Sequence, residues 1–343
     1  MSRPKGGTFS DKREWGEKSG LYSGGICGKI AVQCKDCLFR PQRRSSHFYN
    51  REAACLDNLS NIGTVKELCR KYGFTFSKTL GQNFLVNPSV CPRIAEYGNA
   101  RPGFGIIEIG AGFGVLTVEL AKRADRVVVI EIDEKLLPVL DETLAGYDNI
   151  KVIHADVLEV DLHKLIREEF SGMEVAVCAN LPYYVTSPIL MHLLESRLPV
   201  ASVTVMVQKE AAQRLCAQMG TRQCGSVTAA VRYYSEPSLL FHVSRGSFMP
   251  APNVDSSVIR LDIRKEPPAH VENEAYLFRV IRSAFSQRRK TLPNPLSGAL
   301  SLTKEQVAAA LTVCGLSPTA RAEELTLSQF ISLANTLYEV RHG

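Results

Sequence analysis

Residues 106–114 read Ile106-Ile107-Glu108-Ile109-Gly110-Ala111-Gly112-Phe113-Gly114, and this stretch decides the fold. Four residues of apolar-rich strand run into glycines at alternate positions. A helical spacing follows at once in Val115, Leu116, Val118, Leu120 and Ala121. The reading is strand, tight turn, helix. Glycine permits the sharp turn and lets a ligand lie against bare main chain. Open amides at a helix start suit polar or anionic groups. Glu131 comes ~20 residues on, at the end of the next apolar run, where such folds hold ribose hydroxyls. Three glycines in five residues argue against a turn without a ligand. The spacing is G-x-G-x-G, not the G-x-G-x-x-G of nicotinamide cofactors. It favours another adenosine-containing cofactor, with S-adenosylmethionine the first candidate.

Outward from this stretch, strands and helices alternate. Strands are expected at 105–109, 126–132, 150–154, 174–179 and 202–207, as continuous Val/Ile runs of the kind a parallel sheet buries on both faces. Helices are expected at 115–124, 134–145, 160–169, 187–197 and 208–218. The fold class is a doubly wound, Rossmann-like α/β sheet with right-handed crossovers. Two more strands, 237–243 and 254–264, are expected as an antiparallel edge pair. Upstream, Thr64 and Glu67 have capping-box spacing for a helix over 64–72 that Gly73 ends. A polar loop over 78–85 leads to a helix over 88–97 opened by Pro88. Beyond Lys265-Glu266-Pro267-Pro268 the pattern is helical throughout, at 273–287, 293–299, 303–314 and 326–340. The expected division is a basic, disordered or weakly structured extension over 1–57, an α/β domain over 58–265 and a small helical domain over 266–343.

A chain of 343 residues, 45% hydrophobic, can bury a full core. No apolar run reaches the ~20 residues of a membrane span, and no secretory pattern is visible. A cytoplasmic protein with no membrane partner is expected. Residues 1–56 hold 11 Lys+Arg and 5 Asp+Glu, against 41 and 35 in the whole chain, leaving 30 of each for the remainder. The net charge of +6 therefore sits in the N-terminal tail, and nucleic-acid binding by the body has to rest on local clusters. Ten cysteines without a secretion signal read as reduced thiols. Cys34 and Cys37 have metal-pair spacing but lack a second pair, so no metal site is expected.

Asn180-Leu181-Pro182-Tyr183 directly follows the fourth strand, which sets it beside the glycine turn at the carboxyl ends of the strands. Thr186 or Ser187 is expected to cap the next helix ahead of Pro188. Asn, an apolar residue, Pro and an aromatic make the pattern of amino-group methyltransferases. The lone pair of an exocyclic adenine nitrogen is delocalised into its ring. The Asn180 side-chain oxygen and the Leu181 carbonyl can each accept one N–H bond and aim that lone pair, and Tyr183 offers a face to an unstacked base. In isolation the tetrapeptide reads equally as a strand-ending turn with a buried tyrosine; behind a glycine-turn strand that reading falls back. Phe248, in a proline-stiffened loop, suits the opposite face of the base and equally an ordinary core position. Asp156 suits the cofactor's adenine amino group or a helix cap. Asn83 and Leu85 need the 78–85 loop to fold over the cofactor, which spacing does not show. Arg282, Arg288, Arg289 and Lys290 form the strongest basic cluster, a phosphate-binding surface or a solvated helix end. Lys78, Lys209, Arg214, Arg222 and Arg245 are candidates to extend it.

The constellation resembles one family closely, the ribosomal RNA adenine dimethyltransferases of the small subunit, of the kasugamycin-sensitivity type. The matching stretches are Leu80–Leu85 (LGQNFL), Glu108–Gly112 (EIGAG), Glu131-Ile132-Asp133, Ala155-Asp156, Asn180–Tyr183 (NLPY), Gln208-Lys209-Glu210, Phe248–Ser256 (FMPAPNVDS) and Phe285–Leu292 (FSQRRKTL). They cover the chain from about Asn58 to Tyr338; only the tail is unmatched. The resemblance implies an S-adenosylmethionine-dependent enzyme that methylates N6 of two adjacent adenosines near the 3′ end of 16S rRNA, giving N6,N6-dimethyladenosine during ribosome biogenesis. It implies cofactor contacts from Asn83, Leu85, Gly110, Glu131, Asp156 and Asn180. It also implies adenine contacts from Asn180, Leu181, Tyr183 and Phe248. The partner would be small-subunit rRNA in a pre-30S particle, docked by the helical domain, with the enzyme a monomer. Competing readings are a large-subunit rRNA adenine methyltransferase, which shares several of these motifs, a DNA adenine methyltransferase, an assembly factor whose binding outweighs its methylation, and an NAD-linked oxidoreductase.

Overall fold

The computed structural model describes residues 59–76 and 81–342. The 1–57 extension with its Cys34–Cys37 pair, and Lys78 to Leu80 of the polar loop, lie outside the described residues. The described chain opens with α1 (Ile62–Lys71), a two-residue strand β1 (Phe84–Leu85) and α2 (Val90–Tyr97). The alternating unit follows as β2 (Phe104–Ile109), α3 (Val115–Ala121), β3 (Arg126–Glu131), α4 (Leu137–Thr143), β4 (Ile150–His154), α5 (Leu162–Glu169), β5 (Glu174–Asn180), α6 (Thr186–Glu195) and β6 (Ser202–Gln208). Then come α7 (Lys209–Leu215), α8 (Ser226–Tyr234), β7 (Ser235–Val243), β8 (Phe248–Met249) and β9 (Ser256–Ile263). The chain finishes in α9 (Glu274–Ser286), α10 (Pro293–Leu300), α11 (Lys304–Val313) and α12 (Leu327–His342).

Seven strands form one sheet in the order β4-β3-β2-β5-β6-β9-β7. The five from β2 to β6 are parallel. All residues of β2 are buried, as a strand covered on both faces requires. β9 runs antiparallel to β6, and β7 antiparallel to β9. The expected antiparallel pair is therefore present, but β9 is interior and only β7 forms the edge. Strand order reverses at β2, which has β3 on one side and β5 on the other. The crevice above that reversal is where sheets of this type bind ligands. One apolar core covers each face. Ile106, Ala176 and Met206 pack with Ile94 of α2 and Leu116 and Leu120 of α3. On the other face, Ile107, Val177 and Val203 share a core with Leu190 of α6, Ile281 of α9 and Phe330 of α12. The C-terminal helices join this core through α8, against which α9 and α12 pack. Glu274 at the start of α9 accepts bonds from the hydroxyls of Tyr233 (3.0 Å) and Tyr234 (2.7 Å) of α8 and pairs with Arg197.

Several local expectations are corrected. Asn61, not Thr64, caps α1: its extended backbone lets its side chain accept from Gly63 N at 2.7 Å, which puts Thr64 inside the first turn. Pro88 does not open α2; Asn87 accepts from Ser89 N (3.1 Å) in a turn that delays the helix to Val90. Neither Thr186 nor Ser187 caps α6, because the Thr186 hydroxyl donates back to the Pro182 carbonyl (3.2 Å). The helix expected over 208–218 ends at Leu215, and α8 was not expected. Its Val, Thr and Tyr content gives weak helix propensity, and burial of Val231, Tyr233 and Tyr234 overrides it. α9 ends at Ser286, so Arg288, Arg289 and Lys290 stand in the turn beyond the helix. Among the described residues no helix is long and apolar enough to cross a membrane.

Candidate active site

The turn after β2 holds its three glycines in the left-handed region, Gly110 at φ 74°, Gly112 at φ 59° and Gly114 at φ 83°. This is backbone that a side chain strains. A Cβ on Gly114 would meet Leu144 at 2.9 Å, and one on Gly112 would meet the Phe84 ring at 3.0 Å. Gly110 faces open space. At the end of β3, Glu131 is buried and accepts from the amides of Gly112 (3.3 Å) and Asp133 (3.0 Å). Its carboxylate therefore tethers the glycine turn to the neighbouring strand. Burial raises its pKa, and the two amides work against that.

The loop over 81–85 reaches the same place. Gln82 donates to Asp133 (2.6 Å) and Asn83 to the Gly81 carbonyl (2.9 Å). β1 pairs antiparallel with β8, Phe84 opposite Met249 and Leu85 opposite Phe248, and Val86 N extends the ladder to the Ser247 carbonyl (2.8 Å). The Phe84 ring stacks on Phe113 of the glycine turn, centroids 4.2 Å apart. After β4, Asp156 is half-buried and accepts from Leu158 N at 2.9 Å. At the end of β5, Asn180 is half-buried, and its side chain makes no hydrogen bond to the described residues. Leu181 is buried, and the Tyr183 hydroxyl is anchored to Ser256 Oγ of β9 (2.7 Å). Phe248 is buried.

One cavity of about 350 Å³ gathers these side chains. Asn83, Leu85, Gly110, Glu131 and Asp156 line it, and so do Asn180, Leu181, Tyr183 and Phe248. Arg282, Arg288, Arg289 and Lys290 do not. All four are exposed. Arg288 donates to the Arg222 carbonyl (2.7 Å) and pairs with Glu323 (3.1 Å), whereas Arg282, Arg289 and Lys290 make no ion pair among the described residues.

Of the cavity residues to which the sequence reading gave no role, two stand out. Tyr184 is 58% exposed at the mouth, beside Gly81. Glu108 is 1% exposed and its Oε2 has no hydrogen-bond partner. Burial pushes its pKa up to about 8, with Glu131 adding and Thr117 opposing. The signal was a single acid inside the apolar run Ile106-Ile107-Glu108-Ile109. The cavity's size is that of small-molecule sites. Its open main chain at Gly110, the carboxylates of Glu131 and Asp156, and the unpartnered Glu108 oxygen fit a nucleoside cofactor that carries hydroxyls, an adenine amino group and a cationic end.

Residues 73–339 match the family model described as ribosomal RNA adenine dimethylase. Ribosomal RNA small subunit methyltransferase A of Geobacillus sp. (strain WCH70) is 48% identical over 287 residues, 82% of this chain and 99% of that protein. The protein of the same name from Geobacillus thermodenitrificans (strain NG80-2) is 49% identical over 284 residues, 82% and 97% of the two chains. Among solved structures, the 23S rRNA methyltransferase ErmE superposes with a TM-score of 0.59 at 29% identity, over 75% of this chain and 100% of that one. A dimethyladenosine transferase from Plasmodium falciparum gives 0.62 at 24% identity, over 73% and 95%, a likeness of fold.

Proposed function

The chain belongs to the ribosomal RNA adenine dimethylase family, and from that premise we propose which adenosines it methylates and how its residues do so. It is an S-adenosylmethionine-dependent rRNA adenine dimethyltransferase that forms N6,N6-dimethyladenosine in small-subunit rRNA. The proposed targets are two adjacent adenosines near the 3′ end of that rRNA, in a pre-30S particle, and the enzyme works as a cytoplasmic monomer.

The observation that carries the mechanism is the meeting of Asn180 and Leu181, at the end of β5, with the three-glycine turn at the end of adjacent β2, in one cavity. When bound, the cofactor supplies a methyl group already activated on a sulfonium. The residues therefore need position rather than a strong base. The Asn180 side-chain oxygen and the Leu181 carbonyl accept the two N–H bonds of adenine N6 and turn its lone pair toward the methyl. The same oxygens stabilise the positive charge that develops on N6. Tyr183, held by Ser256, and Phe248 take the two faces of the unstacked base. Glu131 holds ribose hydroxyls, Asp156 the cofactor's adenine amino group, and Asn83, Leu85 and Gly110 offer main chain. The segment 266–343 docks on rRNA, with Arg282 of α9 and Arg289 and Lys290 of the turn beyond it on phosphates, and Arg288 shaping that turn.

The test is transfer of tritiated methyl to unmethylated small subunits and, separately, to large-subunit rRNA, followed by nucleoside analysis. Label in N6,N6-dimethyladenosine from small subunits alone is expected. Label in large-subunit rRNA, or none in either, refutes the assignment.

A further inference from the structure

We infer that Tyr184 is a positioning residue for the substrate strand: its ring stacks on the nucleobase next to the adenine that enters the cavity. This rests on the proposed substrate, two adjacent adenosines of one strand.

Tyr183 and Tyr184 are the two central residues of a single turn. Val185 N closes it by donating to the Pro182 carbonyl (3.2 Å), and the Thr186 hydroxyl closes it again on the same oxygen (3.2 Å). The two side chains end in different surroundings. Tyr183 is half-buried, with its hydroxyl on Ser256 Oγ of β9 (2.7 Å). Tyr184 is 58% exposed, although it too borders the cavity. Its hydroxyl makes no hydrogen bond, and its ring meets no other aromatic ring and no cation among the described residues. The other exposed tyrosine among them, Tyr97, leans on Phe241 with centroids 6.1 Å apart. What Tyr184 does have is support from main chain. A Cβ on Gly81 would stand 3.3 Å from its Cδ1 and 3.4 Å from its Cε1, so that loop lies against the ring with no side chain between them.

A turn tip in water suits small polar residues. A tyrosine there, braced by a twice-closed turn and by Gly81, instead offers rigid contact area at little entropic cost. The substrate supplies the partner. Drawing one adenine out of its strand breaks its stack on the next base and leaves a face of that base bare. The bare base stays at the mouth, one nucleotide from the adenine between Tyr183 and Phe248. Tyr184, one residue from Tyr183, covers it. Consecutive residues of one turn then hold consecutive nucleotides of one strand, and a base–tyrosine stack replaces the base–base stack that was lost. Every base has a π-face. The ring therefore serves both targets, with the other adenosine as its partner for one of them and an outer nucleotide for the other.

The experiment is single-turnover transfer of tritiated methyl by the full-length protein, with cofactor and unmethylated small subunits both saturating. Tyr184→Ala is expected to slow transfer about 5–150-fold, the worth of one base–aromatic stack, with cofactor affinity by calorimetry unchanged. Tyr184→Phe should restore the rate. Tyr184→Leu, apolar but without a π-face, should stay near Tyr184→Ala. A second arm uses small subunits reconstituted with a synthetic 3′ segment in which one or the other adenosine is abasic. On one of the two, wild type and Tyr184→Ala should converge, and which one gives the direction of the strand. Equal rates of wild type and Tyr184→Ala on intact subunits overturn the inference and leave the enzyme reading standing. Full activity of Tyr184→Leu, a matching loss of cofactor affinity in Tyr184→Ala, or an undiminished gap on both abasic subunits does the same. No transfer by wild type to intact small subunits overturns the proposed substrate, and the inference with it.

Discussion

Glu108 makes the stability of the unliganded protein depend on pH in a direction opposite to that of most paired carboxylates. In the unfolded chain its carboxyl titrates near the ordinary 4.5, and in the fold burial lifts it to about 8. Between those values the folded protein keeps a proton that the unfolded chain has released. The stabilisation is complete below pH 4.5 and is lost as pH rises through 8. The gap corresponds to about 5 kcal/mol at 1.36 kcal/mol per pH unit, comparable with the whole stability of many domains. Glu108→Gln carries a neutral group at every pH and removes the dependence. Urea unfolding of both proteins without cofactor, from pH 5 to 9, measures it. At pH 5 the two should match within about 1 kcal/mol, and by pH 9 the variant should be the more stable by several kcal/mol. Glu131, also raised by burial, is present in both but is coupled to Glu108, so the difference reports the removal of Glu108 together with the relief it gives Glu131. A difference that stays constant across the range refutes the reasoning, because Glu108 would then titrate alike in the folded and unfolded chains.

Four other outcomes are expected. Asn180→Ala should lower methyl transfer by about 10²–10³-fold, with cofactor affinity still measurable by calorimetry; unchanged turnover removes Asn180 from the mechanism. Glu131→Ala should weaken cofactor binding by about 10–100-fold, from the loss of charge-assisted bonds and of the tether on Gly112; an unchanged dissociation constant reassigns that carboxylate. Gly112→Ala combines φ 59° with a 3.0 Å approach to the Phe84 ring and should cost about 1–3 kcal/mol in a denaturant melt, with loss of cofactor affinity as the Phe84–Phe113 stack shifts. Deleting residues 1–57 should leave methylation of small subunits intact in the tritium assay, since the recognised motifs all lie beyond it; a large loss would make the tail a substrate-binding arm.

The five parallel strands were legible to within about a residue; in β2, β3, β5 and β6 burial makes a continuous apolar run, a signal independent of anything distant, and edge strand β4 keeps a shorter run around Lys151. Caps and chain reversals were less so. Asn61 and Thr64 offer similar cap chemistry, and which one wins depends on backbone angles that composition does not encode. α8 carries no local preference strong enough to announce it; its helix exists because the sheet and α9 bury it. In the candidate site, Glu131, Asn180 and Tyr183 could be placed by their positions at or just past strand ends. Asn83, Leu85 and Phe248 could not, since a ladder between distant segments brings them in. Glu108 went unnoticed because an acid within a signature motif reads as part of the motif, and only its burial without a partner sets it apart.

The pairing of β1 with β8 has a mechanical side. Asn83 and Leu85, on the proposed donor side of the cavity, and Phe248, on its proposed acceptor side, are fastened to each other by a ladder two residues long. They form one door with one hinge. The side chains of Phe84, Leu85 and Phe248 are buried, but the ladder holds fewer strand pairings than the seven-stranded sheet beside it, and any opening there frees both sides together. An enzyme that adds two methyls to one nitrogen must exchange spent donor for fresh between the additions. With a shared door, each exchange loosens the hold on a half-finished adenosine. The monomethyl nucleoside is then expected as a free intermediate rather than a buried one.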